Sequence, residues 1–366
     1  MKACPLVSVI IPVYNPGQYL QPCLDSVIRQ TLSDIEILCV DDGSTDDSPA
    51  ILQEYAASDP RIHIIRQENS GPGAARNTGI RAATGKYICF TDSDDYLEPD
   101  ALEVCSSAME RNSLEFLCFN AEAFDEDEKS FRRAEDLNSA YFRRTLKEGR
   151  VFSGLELFTV LREEKHLVIS PCTVMTLRSF LLEHQLWFHT GILMEDESWT
   201  MSVLFHAARV GCVNRVLYHY RIHLGSVTHS DLSFAHPYGY FVACRTLQEK
   251  AAGLKAPVEK RLEKALISKI SSLQQSAIRM YLTCDSTEKA KRLCLPTEER
   301  LDFERLVVFP AAQTGRLERL QTELDKERQR SDRLQQKLQK LKASWFCRVG
   351  SAFTRVFLKI KKLLKY

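Results

Sequence analysis

The sequence predicts an α/β fold: a mostly parallel sheet with helices on both faces, followed by a C-terminal helical region, a coiled coil and an amphipathic helix. Three observations predict it. Short apolar runs alternate with helical periodicities through the first third of the chain, the pattern of strands joined by crossover helices. Polar clusters rich in Asp, Asn and Gly follow those apolar runs, and open parallel sheets bind ligands beyond the carboxyl ends of their strands. From Thr314 onward the chain becomes heptad-like and then basic and amphipathic.

The elements follow in order. Val7–Val13 is an apolar β run, and Gly17–Gln30 carries Tyr19, Leu20, Leu24, Val27 and Ile28 at helical spacing. Ile35–Val40 is the second strand, Asp46–Ala57 a helix with Ile51, Leu52 and Tyr55 on one face, and Ile62–Ile65 a short third strand. Ala74–Ala83 is a small-residue helix after a glycine turn, Tyr87–Phe90 the fourth strand, a helix begins near Pro99, and Glu115–Asn120 is a fifth strand. From Phe124 to Arg150 the pattern weakens into a charged loop with short helices. Val151–Val216 is a less regular half rich in Trp, Phe and His, and Ser233 to about Leu306 is helical.

The chain has 366 residues, 44% apolar and 27% charged, which suits a soluble globular protein of more than one unit. Its net charge is +1, with basic residues and no acid in 344–366, so no overall nucleic-acid footprint is expected. The 12 cysteines form no CxxC pair and mostly sit in apolar patterns. That reads as reduced, buried thiols of a cytoplasmic protein, against a disulfide or zinc framework. No secretory pattern is expected at the N-terminus, and no apolar run reaches the roughly 18 residues that span a bilayer.

Three carboxylates crowd into Asp92-Ser93-Asp94-Asp95 directly after the fourth strand. On strand geometry Asp92 and Asp94 point the same way and share one ion. Such oxygen ligands suit Mg²⁺ or Mn²⁺, which bind through one or two carboxylates plus substrate phosphates. The plainer reading is an acidic turn capping the next helix. The other polar motifs fall at strand ends too: Tyr14-Asn15 after the first, Asp41–Asp46 after the second, Glu68–Gly73 after the third.

In order, Pro12-Val13-Tyr14-Asn15, Asp41-Asp42-Gly43-Ser44-Thr45-Asp46, Asn69 to Gly79 and Asp92–Asp95 resemble a family 2 glycosyltransferase with the GT-A, Rossmann-like fold. The resemblance covers residues 5 to about 230. It implies an inverting, metal-dependent transfer from a nucleotide sugar, most naturally a UDP-sugar, with a divalent ion on Asp92 and Asp94 holding the diphosphate. Pro12, Tyr14, Asn15, Asn69, Asp92 and Ser93 then fall in the donor site. Asp41 or Asp42 accepts the uracil N3–H or binds ribose, with a plain turn at Asp42-Gly43 as the alternative. Gly71 and Gly73 permit positive φ and close backbone approach. The helix start after Gly73 favours a phosphate, and Arg76 adds charge.

Glu195-Asp196-Glu197 follows the strand-like Gly191–Met194 and resembles the family's Glu-Asp pair, with Trp199 as its aromatic. By resemblance Asp196 is the catalytic base; an acidic helix N-terminus is the alternative. Tyr220 to Thr228 resembles the segment that closes over the diphosphate, with Arg221, His223, Ser226 and Thr228 as phosphate or metal contacts. His223 stands where relatives often have Arg. Two departures narrow the implication. Ser170-Pro171-Cys172-Thr173-Val174 replaces a Trp-Asn-Lys run, so acceptor recognition is not inherited, and a QxxRW signature of processive polymerases is missing, so one sugar per encounter is expected.

Leu317, Leu320, Leu324, Glu327, Ser331, Leu334, Leu338 and Leu341 form an a/d seam of about four heptads, read as homo-oligomerisation rather than a single solvated helix. Trp345, Phe346, Val349, Phe353, Val356, Phe357, Ile360, Leu363 and Leu364 lie near one helical face, mostly opposite Arg348, Arg355, Lys359, Lys362 and Lys365. This reads as an interfacial helix on an anionic membrane, worth about 1 kcal/mol per basic residue, with docking on the protein's own core as the alternative. The domains expected are 1–230, with a nucleotide-sugar half 1–120 and an acceptor half 121–230, then a helical region 231–313, a coiled coil 314–343 and a membrane-surface helix 344–366. The function expected is transfer to a glycan or lipid-linked hydroxyl in surface-polysaccharide synthesis, at the inner face of the cell membrane. The rivals are a sugar-phosphate nucleotidyltransferase and a non-catalytic coiled-coil membrane scaffold.

Overall fold

The computed structural model describes residues 4–125, 142–147, 149–223 and 233–312. Ser226, Thr228, most of the 124–150 loop, the heptad stretch and the basic tail lie outside the described residues. Among the described residues no helix is long and apolar enough to cross a membrane.

Four parallel strands build the nucleotide-side half: β1 (Val7–Val13), β2 (Ile35–Asp41), β3 (Ile62–Arg66) and β4 (Tyr87–Phe90). They lie in the order β3-β2-β1-β4. Every residue of β2 and all but Pro12 of β1 is buried. That is why these strands read as unbroken apolar runs: a sheet covered on both faces leaves no polar alternation. The crossovers are α1 (Leu20–Ile28), α2 (Ser48–Ser58) and α3 (Pro72–Ala82).

Beyond β4 the sheet is mixed, so the mostly parallel sheet expected from the sequence carries an antiparallel insertion. β7 (Val174–Leu177) inserts antiparallel between β4 and the long β6 (Phe116–Asp125). β8 (Val210–Ile222) runs parallel to β6, and the two-residue β5 (Tyr96–Leu97) closes the edge antiparallel to β8. Bulges at Phe119/Asn120 and Asn120/Ala121 shift the β6–β8 register and bend the strand. α4 (Ala101–Asn112) follows β5. The less regular half contributes α5 (Gly154–Glu163), α6 (Arg178–Glu183) and α7 (Glu195–His206).

The expected strand at Gly191–Met194 does not form. Gly191 and Met194 both take positive φ, 74° and 61°, so the segment bends into α7 instead of extending.

The C-terminal helices α8 (Ala235–Ala252), α9 (Lys260–Thr283), α10 (Ser286–Ala290) and α11 (Thr297–Phe303) complete the described chain. Cys244, Leu247, Leu266, Ile270 and Leu273 of α8 and α9 join the same apolar cluster as the sheet. A second cluster gathers Phe234, Phe241, Tyr281, Phe303 and Val307. The seating of α8 is close: a Cβ at Gly239 would stand 1.7 Å from the Leu193 carbonyl oxygen, two residues before α7.

Candidate functional site

Parallel register brings the carboxyl ends of β1 to β4 to one edge, and the polar motifs emerge there together. Much of their polarity is spent on holding the loops in place. Asn15, at φ 50°, accepts from Thr45 N–H at 2.7 Å and Asp46 N–H at 3.3 Å, and its own N–H donates to Ser44 Oγ. Asp41 is buried and accepts from Ser44 N–H at 2.8 Å, with Arg66 at 3.5 Å. Asp42, equally buried, accepts from Gln67 Nε2, Ser70 N–H and Gly71 N–H at 2.7 to 2.9 Å, so it fixes the loop leading to α3. Pro12 is half-buried, while Tyr14 and Asn69 are exposed at the rim.

The glycine turn divides its labour. Gly71 takes φ 85° at the start of α3. Gly73 does not take positive φ; it is needed because a Cβ there would lie 2.5 Å from the His189 carbonyl and 3.1 Å from Glu195 Cγ. The close approach is therefore to the protein's own 188–195 segment. Asn77, one turn on, exchanges two hydrogen bonds with the Phe188 backbone, at 2.8 and 2.9 Å. Phe188 stacks on Trp199 at 4.5 Å, and Phe90 meets both rings edge-on.

Arg76 also faces inward. Its guanidinium is buried and bridges Asp92 at 2.8 Å and Glu195 at 2.6 Å. Burial works against its charge, but the two carboxylates outweigh that and hold the guanidinium firmly protonated. One side chain thus ties the acidic turn after β4 to the start of α7.

That turn is not a strand end. The strand stops at Phe90, and Asp95 N–H closes a turn onto the Asp92 carbonyl at 3.1 Å, so strand alternation does not align Asp92 with Asp94. Their side chains are partly exposed, 37% and 28%. Asp94 pairs with His223 at 2.9 Å, Arg221 Nε donates to the Asp94 carbonyl, and Ser93 is buried. Asp95 is buried against β8, accepting from Tyr218 Oη at 2.5 Å and Arg221 N–H at 2.7 Å. Burial, then Asp94 and Asp92, push its carboxyl well above the ordinary range. Arg221 also lies over the Tyr19 and Phe124 rings. Among the described residues no group of three or more His, Cys, Asp or Glu side chains is arranged as a complete metal cage. Asp92 and Asp94 are nonetheless carboxylates of the kind through which Mg²⁺ and Mn²⁺ bind together with substrate oxygens.

On α7, Glu195 is buried on Arg76 and Asp196 is half-buried, with its Oδ1 accepting from Glu197 N–H at 2.9 Å. Burial, Glu195 and Glu197 push the Asp196 carboxyl well above its ordinary value, against the pull of Arg76. Cys172, in the segment lacking the Trp-Asn-Lys run, is buried. The roles of Asn77 in gripping the 188 segment and of the C-terminal helices beside α7 had no sequence signal stronger than a motif position and an amphipathic pattern. Two surface cavities, of about 490 and 290 Å³, lie beside α4 and beside Asn120 and Arg143; neither contains a residue of this edge. The described cysteines carry no disulfide, and nine of them are buried, in keeping with reduced thiols.

Residues 8–180 match the family model described as "Glycosyl transferase family 2". The chain is 38% identical over 231 residues to the putative glycosyltransferase EpsH of Bacillus subtilis, covering 61% of this chain and 62% of that protein. It is 36% identical over 222 residues to the glycosyltransferase GlyA of Streptococcus pneumoniae, 61% of this chain and 31% of that protein. The chain thus spans less than two thirds of the length of these relatives. In fold it is similar to the S. aureus TarS 1–349 structure in complex with UDP-GlcNAc, with a TM-score of 0.56 at 19% identity, covering 82% of this chain and 79% of that one. The architecture is of the GT-A type.

Proposed function

We propose, for a chain that belongs to glycosyl transferase family 2, that it transfers a single sugar, with inversion, from a nucleotide sugar to a hydroxyl of a glycan or lipid-linked acceptor in surface-polysaccharide synthesis. The supporting observation is the Arg76 bridge, which joins the Asp92–Asp95 turn to Glu195. It holds a donor side, at the ends of β1 to β4, against an acid-base side at the start of α7.

The donor is a UDP-sugar, the class bound by TarS, a protein of the same fold. Tyr14 and Asn69, exposed at the rim, border the base and ribose, next to the loops that Asn15, Asp41 and Asp42 fix. The diphosphate lies at the Asp92–Asp95 turn, which Arg221 clamps from β8. Asp92 and Asp94 would hold a divalent ion there, Mn²⁺ or Mg²⁺, which when bound offsets negative charge on the leaving diphosphate. Asp196 is the base. The acceptor hydroxyl oxygen attacks the anomeric carbon, its proton passes to Asp196, and the bond to the diphosphate oxygen breaks. A carboxyl held above its ordinary range suits that task, since a base works best near the operating pH. The heptad stretch and the basic tail would pair copies of the chain and hold them at an anionic membrane carrying the acceptor.

The test is a pair of variants. Asp94→Ala is expected to abolish transfer and weaken Mn²⁺-dependent UDP binding, whereas Asp196→Asn removes nearly all turnover and leaves UDP binding intact. Full turnover of the purified protein in excess EDTA, or wild-type kcat in Asp196→Asn, would overturn the reading. Release of pyrophosphate instead of UDP would make it a nucleotidyltransferase.

A further inference from the structure

Glu197, in the first turn of α7, turns towards the C-terminal helices. Its carboxylate meets Lys269 Nζ of α9 at 2.6 Å, and both side chains are largely buried, 15% and 7% exposed. Lys269 lies far beyond the stretch that matches the family, which ends at residue 180. The three consecutive acids of α7 are thereby divided: Glu195 goes to Arg76 and Glu197 to Lys269, leaving Asp196 between two compensated neighbours.

We propose that Lys269 is a positioning residue of the transfer site: it anchors Glu197, whose N–H holds Asp196 Oδ1, and so sets the orientation and the charge environment of the base. The inference rests on Asp196 being that base. The groups around it come from five elements. Glu195 and Glu197 flank it on α7, and Arg76 faces it from α3. Tyr240 of α8 lies close enough to feel Glu197 and Asp196; burial and these two acids push its hydroxyl up to about 12. Arg162 of α5 faces Glu197 while donating to Ser268 beside Lys269, which itself belongs to α9. The seat of α8 on Leu193, through Gly239, brings this helical layer against the segment that carries the acids.

The sign of the effect follows. With Lys269 in place, the charge of Glu197 is offset at Asp196. Replacing Lys269 by Met leaves Glu197 bare and raises the titration midpoint of Asp196. Glu197→Gln with Lys269 retained lowers it, and the double variant returns it towards the wild type. Lys269→Arg keeps the charge and the midpoint.

The experiment uses the full chain labelled with aspartate ¹³C at the carboxyl, titrated without substrate, with the Asp196 signal assigned by its loss in Asp196→Asn. The expected result is opposite displacement of the midpoint in the two single variants, by half a pH unit or more at about 0.1 M salt, a shift that Coulomb interaction across a partly buried pair readily supplies. Where Lys269→Met fails to fold, Glu197→Gln and the double variant, a neutral pair of similar volume, carry the comparison. An Asp196 midpoint unchanged in Glu197→Gln and in every folded Lys269 variant would overturn the proposal and leave Lys269 a packing residue. Failure of the base assignment itself reads out separately, as turnover retained by Asp196→Asn.

Discussion

Replacing Arg76 by Met tests whether the two sides of the site are held together by charge. The guanidinium is buried and bridges Asp92 and Glu195. The Asp92 side chain is 37% exposed, so its loss is screened and costs at most about 1 kcal/mol. Glu195 is only 7% exposed in its side chain and is left without its cation. Breaking a buried pair by removing one partner costs about 3–5 kcal/mol. The lost contact with the Phe188 ring, 5.5 Å away, adds about 0.5–1 kcal/mol. With the lower end taken for the buried pair, a total of about 3.5–5 kcal/mol is expected. Urea denaturation followed by tryptophan emission reads it directly, because Trp199 is buried against Phe188. Arg76→Met/Glu195→Gln should recover more than half of the loss, since the remaining pair is neutral. A single variant that loses less than about 1 kcal/mol, or a double variant with no recovery, would refute the claim that this bridge is a buried electrostatic tie.

Two other perturbations probe the frame. Gly239→Ala puts a methyl 1.7 Å from the Leu193 carbonyl, so α8 must lift from the start of α7; a loss of about 1–3 kcal/mol in stability is expected together with a drop in kcat, and a variant matching the wild type in both would mean the seat is slack. At the far end of the sheet, Glu36 is buried and accepts from Ser8 Oγ, Thr84 N–H and Gly85 N–H. Burial opposes its charge, but the donors prevail and hold its carboxyl below the ordinary value. Its contribution is therefore present above the unfolded pKa and lost as pH falls through the lower folded one. Glu36→Gln should cost about 1–3 kcal/mol at pH 7 and progressively less below about pH 4 in thermal melts; a cost that does not change with pH would contradict this.

How much was legible depended on how each element earns its place. β1, β2 and β4 were readable because both faces are buried and the sequence has no reason to alternate. β5 has two residues, too short for any period to register, and the four residues of β7 pair antiparallel with β4 and β6, strands distant from it in sequence. β8 mixes Asn214, Arg215, His219 and Arg221 among its apolar positions, because its polar side chains brace the acidic turn and α4. Gly191–Met194 has strand composition but breaks at two positive-φ residues. The motif residues were found, yet their local work was not: Gly73 and Asn77 grip the chain's own 188–189 segment, a contact between residues more than a hundred positions apart. Lys269 lies in a stretch read only as helical, and nothing in sequence tells which polar residue points inward.

The shared core of the sheet with α8 and α9 bears on how such chains can be recombined. A chimera joined at residue 230, the tidy boundary suggested by the motifs, would separate Glu197 from Lys269 and Leu193 from its Gly239 seat. Grafting the N-terminal portion onto another helical partner would carry the ends of β1 to β4 intact but leave the acidic first turn of α7 without its support. A transplant meant to exchange acceptor preference has to carry the stretch from Leu186 through Ile270 as one piece, so that the inherited unit is a knot of contacts rather than a length of chain.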